Sequence, residues 1–212
     1  MDVVVAGGHG KVGLRLLRLL AEGGHRGRGL IRNPDHEADL REVGAEPVLC
    51  DIEALDDISE CCEDADAVVF AAGAGPGSGP ERKRTVDYEG AVQLIEAAKK
   101  KRIDRYAIVS AISVDRPEEW SEQMRPYYEA KRDADQAVLE SGLSYTIVRP
   151  GGLTDESGTG LVKVGTHLER GDVPREDVAA TVLAALETPS TIGKAFELVS
   201  GDTPIEEAIR GL

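Results

Sequence analysis

The sequence predicts an α/β fold: a doubly wound, three-layer parallel sheet with a small C-terminal substrate cap. Three observations carry this. Short apolar runs alternate with helical patterns along almost the whole chain, the order that builds βαβ units. The runs are apolar enough to be covered on both faces, as parallel strands are. A glycine cluster separates the first run from the first helical segment, the position of a tight strand-to-helix turn.

The elements follow in order. Strands are expected at Asp2–Ala6, Gly29–Arg32, Glu46–Cys50, Ala67–Ala71, Tyr106–Ser110 and Ser144–Val148. Helices are expected at Lys11–Glu22, Pro34–Val43, Ala54–Cys62, Lys83–Arg102 and Tyr127–Ser141. In the first helix Val12, Leu16, Leu19 and Leu20 recur at helical spacing. Beyond Val148, Leu161–Val164 and Ala195–Val199 read as strands, and Arg175–Glu187 and Pro204–Ile209 as helices. Residues 1–212 are expected to form one domain, with 149–212 contributing the cap. Two loops stand out: Gly73–Pro80 (GAGPGSGP), and Ala111–Pro126 with Trp120 and Met124 among charges. Both leave strands on the carboxyl side, where open α/β sheets bind ligands; the plainer reading is two surface connections.

Composition narrows the function. The net charge of −14 argues against a nucleic-acid-binding surface and against attraction to anionic membranes. Three cysteines, Cys50, Cys61 and Cys62, suit neither a disulfide framework nor a spaced zinc site, so no metal is expected. There is no apolar run of membrane-spanning length and no signal-peptide pattern at MDVVVAGG. A cytoplasmic protein is expected.

Gly7-Gly8-His9-Gly10-Lys11-Val12-Gly13 carries the clearest chemistry. Its G-x-x-G-x-x-G spacing provides a tight turn, close approach of backbone to a pyrophosphate, and close helix–strand packing. The helix that follows offers free N–H groups and a positive dipole end to an anion. Enzymes that prefer NAD place an acid at the end of the second strand, on the ribose 2′-hydroxyl. Here Arg32 stands there, followed by Asn33. A guanidinium grips a 2′-phosphate through paired hydrogen bonds, so NADP(H) is favoured over NAD(H), with Lys11 as a second cation. Asp51, ending the third strand, reads either as an acceptor for the adenine amino group or as a turn cap.

At this point the chain resembles a known family. The motifs are GGHGKVG at Gly7–Gly13, LIRNPD at Leu30–Asp35, CDI at Cys50–Ile52 and AAGAG at Ala71–Gly75. Further along come VDYEGAVQLIEAAKK at Val86–Lys100, IVSA at Ile108–Ala111, YYEAK at Tyr127–Lys131, SGLSYTIVRPGGLTD at Ser141–Asp155 and REDVA at Arg175–Ala179. These make it similar to the atypical short-chain dehydrogenase/reductases, in the NmrA-like, NAD(P)H-binding branch with its flavin and biliverdin reductase relatives and its sugar-epimerase-like proteins. The resemblance implies a Rossmann fold with a parallel sheet of about seven strands. It places the dinucleotide against Gly7, Gly8, His9, Gly10, Lys11, Val12 and Gly13, then Arg32, Asn33, Asp51 and Ile52, then Ala71, Ala72 and Gly73. Ser110, Lys131, Pro150, Gly151 and Gly152 complete that expectation.

Tyr127 and Lys131 match the Tyr-x-x-x-Lys of the wider superfamily. Residues four apart share one helix face, and Pro126 suits a helix start. A neighbouring ammonium is expected to lower the tyrosine pKa and let Tyr127 trade a proton with a substrate oxygen. The resemblance adds a role for Lys131 on the ribose hydroxyls. Tyr128 is the alternative if the helix register differs. The position of the superfamily serine holds Ile112, so Ser110 is the favoured hydroxyl, with Ser113 nearby. Arg149 reads either as a holder of a substrate acid or as a partner of an acidic neighbour. His25, His36 and His167 read as scattered surface residues, and Cys61-Cys62 as packing.

Three functions are consistent with this pattern. The first is an NADP(H)-dependent oxidoreductase of a small carbonyl, quinone or flavin-like substrate, with Tyr127 and Lys131 as proton relay and Ser110 as third catalytic group. The second is a nucleotide-sugar epimerase- or dehydratase-like isomerase; the short tail disfavours it. The third is a non-catalytic NADP(H) redox sensor or assembly factor. The partner expected in the first two is a small-molecule substrate, and the chain is expected to be a monomer or homodimer.

Overall fold

The computed structural model describes residues 1–75 and 77–212; Pro76, inside the glycine-rich loop singled out above, lies outside them. The sheet begins with β1 (Asp2–Ala6), whose Val3, Val4, Val5 and Ala6 are wholly buried. Successive side chains of a strand point to opposite faces. Val3 and Val5 accordingly pack with α1 (Lys11–Glu22) and Val178 and Val182 of the late helix, while Val4 and Ala6 pack on the other face.

The remaining strands are β2 (Arg26–Ile31), β3 (Glu46–Leu49), β4 (Ala67–Phe70), β5 (Arg105–Val109) and β6 (Ser144–Pro150), followed by β7 (Gly152–Thr154), β8 (Leu161–Gly165), β9 (Asp172–Pro174), β10 (Lys194–Ser200) and β11 (Thr203–Pro204). Seven of them run parallel in the order β3-β2-β1-β4-β5-β6-β10. Antiparallel β8 and then β11 extend the edge to nine strands. β7 and β9 pair separately. Strand order reverses between β1 and β4, the switch point outside which such sheets bind ligands.

Helices cover both faces. α1 and α6 (Arg175–Glu187) line one, with Leu40 of α2 (Glu37–Glu42) and Ile209 of α7 (Ile205–Arg210) in the same cluster. α4 (Gly90–Lys101) and α5 (Arg125–Glu140) line the other. The doubly wound, three-layer expectation therefore holds. Within 149–212, β8, β10 and α6 belong to the main layers, and Gly151–Leu153 with Arg170–Asp172 line a cavity at the ends of the strands.

Four local expectations differ. The helix expected at Ala54–Cys62 is only a 3-10 turn, Ser59–Cys62. Asp51 and Asp57 explain this: their carboxylates accept the N–H of Glu53 and Ser59 at 2.9 Å, offering the backbone an alternative to helical bonding. β2 starts earlier than expected because Asp2 binds both Arg26 and Arg28, at 2.7 Å each. The helix expected from Lys83 begins at Pro80 as α3 (Pro80–Lys83), passes through a wide π segment, Arg84–Glu89, and continues as α4. His36 is not isolated: its ring stacks on His9 at 3.6 Å. Cys50 and Cys62 lie in the core, where burial pushes the Cys62 thiol up to about 12. No helix among the described residues is long and apolar enough to cross a membrane.

Candidate active site

The glycine loop leaves β1 beside the switch point. Gly7 adopts φ +83°, and Gly13 lies so close to it that an added Cβ would stand 2.2 Å from the Gly7 carbonyl oxygen. Only glycine fits the first conformation without strain and the second without a clash. The loop is tied down by Gly8 N–H to Leu30 O at 3.1 Å and Gly10 N–H to Gly7 O at 2.8 Å. Intrahelical bonding starts with Leu14 N–H to Gly10 O. The N–H groups of His9, Lys11 and Val12 have no acceptor among the described residues. Backbone donors at a helix start with no side-chain cap have the geometry of an anion cradle.

Charged groups surround it. Lys11 pairs with Asp155, which also receives Arg175 at 2.9 Å. These cations hold the Asp155 carboxyl below its usual range, the Lys11 hydrogen bond first. His9 hydrogen-bonds Asp39 at 2.7 Å. At the ends of β2 and β3, Arg32 pairs with Glu53, Asn33 accepts from Asp35 N–H, and Asp51 accepts from Glu53 N–H. The turn-cap reading of Asp51 is thus realised, and the Asn33 side-chain oxygen is engaged as a local cap. Ile52 is half-buried against Gly90.

A cavity of about 540 Å³ opens at the carboxyl ends of β5 and β6. Ser110, Ala111 and Ile112 form one wall and Pro150, Gly151, Gly152 and Leu153 another. Met124, Tyr127 and Tyr128 close it from the start of α5, opposite Arg170, Gly171 and Asp172. Both tyrosines face this space. Tyr128 stacks on Trp120 at 5.4 Å, and Tyr127 meets Tyr128 edge-on. Gly151 is required by packing: a Cβ there would lie 2.0 Å from Gly171 O.

Beneath the cavity runs a buried charge chain. Lys131 is 4% exposed; its Nζ lies 3.1 Å from Val109 O and 3.2 Å from Asp87 Oδ1. Asp87, on the π segment, also accepts Ala74 N–H at 3.1 Å, so it links Lys131 to the loop after β4. Wide helical turns of this kind are frequent at functional sites. One helical turn beyond Lys131, Asp135 receives Arg149 Nε at 2.9 Å, and Arg149 Nη1 reaches Asp115 at 2.8 Å. Burial holds the Asp135 carboxyl above its usual range against the pull of Arg149. Of the two readings of Arg149, pairing with acidic neighbours is the one realised.

The expected lowering of the Tyr127 pKa is reversed. Burial, then the carboxylate of Asp87, pushes the hydroxyl above the ordinary tyrosine value. Lys131, paired with Asp87, is not among the groups that shift it. Tyr127 is therefore a neutral O–H donor at ordinary pH. Its hydroxyl makes no hydrogen bond among the described residues. Ser110 Oγ is buried beside the Asp135 carboxylate, whose charged form it favours, and neither it nor Asp135 Oδ1 makes a well-formed hydrogen bond among the described residues; a catalytic role is one explanation for such groups. Ser113 is excluded from this group: it is wholly buried, donates to Glu119 and accepts from Arg116.

Two buried acids near the site were not singled out by sequence. Asp87 had a signal, since it sits at helical spacing with buried Ala91 and Leu94. Glu197 had none: it stands on β10 between buried Phe196 and Leu198. It is wholly buried and accepts Ser113 N–H at 2.9 Å, Leu168 N–H at 2.7 Å and Arg116 Nη2 at 2.8 Å. One carboxylate thus ties the 111–126 loop and the β8–β9 connection to the sheet. Glu197→Gln leaves Arg116 undercompensated in a buried place and is expected to cost about 1–3 kcal/mol. Urea unfolding of the two proteins measures it; equal midpoints would contradict that role.

The fold and the cradle define a dinucleotide-binding α/β protein, and comparison with known proteins agrees. Residues 7–189 match the family described as NAD(P)H-binding; the chain belongs to that family. It is 42% identical, over all of both chains, to a protein of Bacillus subtilis (strain 168) named uncharacterized sugar epimerase YhfK. A solved structure from Bacillus halodurans, described as a putative NAD-dependent epimerase/dehydratase, is 40% identical over all of both chains, with a TM-score of 0.96. The oxidoreductase ylbE from Lactococcus lactis is 28% identical and has a TM-score of 0.90, covering 100% of this chain and 96% of that one.

Proposed function

We propose that the protein is an NADP(H)-dependent reductase of a small carbonyl, quinone or flavin-like acceptor. The observation that carries this is the cavity that Tyr127 and Ser110 line together, with the buried Lys131 bonded to Val109 O, one residue before Ser110. The glycine cradle fits a dinucleotide pyrophosphate, with its free N–H groups of His9, Lys11 and Val12. Arg32 would take the 2′-phosphate and Asp51 would border the adenine. Ala71, Ala72 and Gly73 would flank the chain of the dinucleotide as it crosses the switch point. Lys131, held by Asp87 and Val109 O, would position the nicotinamide ribose. The bound dinucleotide would supply the hydride.

The chain's own residues do the rest. Tyr127 donates a proton to the substrate oxygen, and Ser110 donates a hydrogen bond to the same atom. Tyr128, backed by Trp120, and Met124 give the acceptor an apolar wall, which suits a small or flat molecule. A tyrosine with a raised pKa favours reduction, which needs the neutral acid, over oxidation, which needs the tyrosinate. The experiment follows NADPH oxidation with quinone, flavin and carbonyl acceptors across pH. The reduction rate should stay flat on the alkaline side to about pH 10, where an ordinary tyrosine is already half ionised. A tenfold fall for each unit above neutrality would remove Tyr127 as the acid.

A second reading, an isomerase, is favoured by the names of the Bacillus subtilis and Bacillus halodurans relatives. It differs in one observable. An isomerase would retain its dinucleotide and consume none, whereas a reductase oxidises NADPH in proportion to acceptor.

A further inference from the structure

Two arginines from separate segments converge on one carboxylate oxygen at the adenosine end of the crevice. Arg32 Nη1 lies 2.9 Å from Glu53 Oε2, and Arg82 Nη2 lies 2.8 Å from the same atom. Thr85 Oγ1 donates to the other oxygen at 3.2 Å. Glu53 follows the end of β3, Arg32 follows β2, and Arg82 and Thr85 come from the helical segment after the glycine-rich loop. Two guanidiniums and a hydroxyl spread over the two oxygens of one anion are the donor set of a phosphomonoester.

The carboxylate that occupies this point is poised to leave. The Arg32 and Arg82 side chains are 54% and 44% exposed and Glu53 24%. Ion pairs at such exposure are worth little and break readily. The contrast within the molecule is Arg116 and Glu197, where the carboxylate is wholly buried and cannot be exchanged without a large penalty.

We propose that Arg32, Arg82 and Thr85 together form the receptor for the 2′-phosphate, and that Glu53 is a built-in carboxylate placeholder which the phosphate displaces. This rests on the NADP(H) reading above. It puts Arg82 beside the Arg32 expected from sequence, while Lys11, the other cation expected, pairs with Asp155, and it adds a residue that opposes the phosphate until it is displaced. Arg82 also ties the segment beyond the glycine-rich loop to the adenosine end, so phosphate binding would draw on both sides of the crevice. Glu53 fulfils two tasks: it holds the arginines together in the absence of phosphate, and it weakens phosphate binding by competing for them.

Calorimetric titration with 2′,5′-ADP and with 5′-ADP tests this without any turnover. The wild-type protein should prefer 2′,5′-ADP. Arg82→Ala should cut that preference by about tenfold, the loss of one charge-assisted contact, with 5′-ADP binding unchanged. Glu53→Gln should tighten 2′,5′-ADP alone, by removing the competing charge. The unchanged 5′-ADP affinity reports that each variant is folded. An Arg82→Ala protein with the full wild-type preference would overturn the receptor while leaving the NADP(H) reading intact. A wild-type protein that binds both ligands equally would overturn the NADP(H) reading, and the receptor with it.

Discussion

Replacing Tyr127 by Phe lowers acceptor reduction by about 10²–10⁴-fold, the usual worth of a positioned proton donor, and leaves NADPH affinity unchanged. The argument is geometric. The Tyr127 ring packs edge-on against Tyr128, with Lys83 Nζ 5.6 Å from its centre. Phe preserves those contacts. The hydroxyl makes no hydrogen bond among the described residues, so its removal breaks nothing but the proton path. Tyr128→Phe is the matched control. That ring is held between Trp120 and Arg170, and its variant should stay within a few-fold of wild type. A loss confined to Tyr128→Phe would exchange the two roles. Equal rates in all three proteins would mean that the relay is idle and favour a sensor.

Lys131→Met is expected to lower stability by about 3–5 kcal/mol, because it strips the partner from a buried charge. Asp87 is 1% exposed. With Lys131 gone its remaining donor is Ala74 N–H, 3.1 Å away. On the proposed role of Lys131 in positioning the nicotinamide ribose, turnover should fall as well. The two effects separate in the double variant Asp87→Asn, Lys131→Met. Removing both charges should restore most of the stability and none of the turnover. Urea unfolding of the four proteins in this cycle measures the first effect, and NADPH oxidation the second. Additive stability losses would mean that the two side chains do not interact.

Elements whose determinants are local were the legible ones. β1, α1 and α6 fall at the bounds expected from sequence, because a buried apolar run and a 3.6-residue apolar stripe each specify one structure. The segment before Cys62 was misread because its side chains, Asp51 and Asp57, outcompete helical bonding; composition there looks helical. The glycine loop was legible because its chemistry resides in the backbone and its spacing records close approaches. That Tyr127 and Lys131 share one face of α5 follows from their spacing. The electrostatics of Tyr127 do not, because they are set by burial and then by Asp87, which comes from a different helical segment. Glu197 was hidden for the same reason: its partners Ser113, Arg116 and Leu168 are brought together only by the fold.

The most direct measurement of the central claim is a pair of dissociation constants, for NADPH and for NADH, from the change in nicotinamide fluorescence on binding. The account predicts that NADPH binds more tightly by about tenfold or more, the worth of a charge-assisted phosphate contact. It also predicts that Arg32→Ala removes that difference and spares NADH. Equal affinities, or tighter binding of NADH, would contradict it.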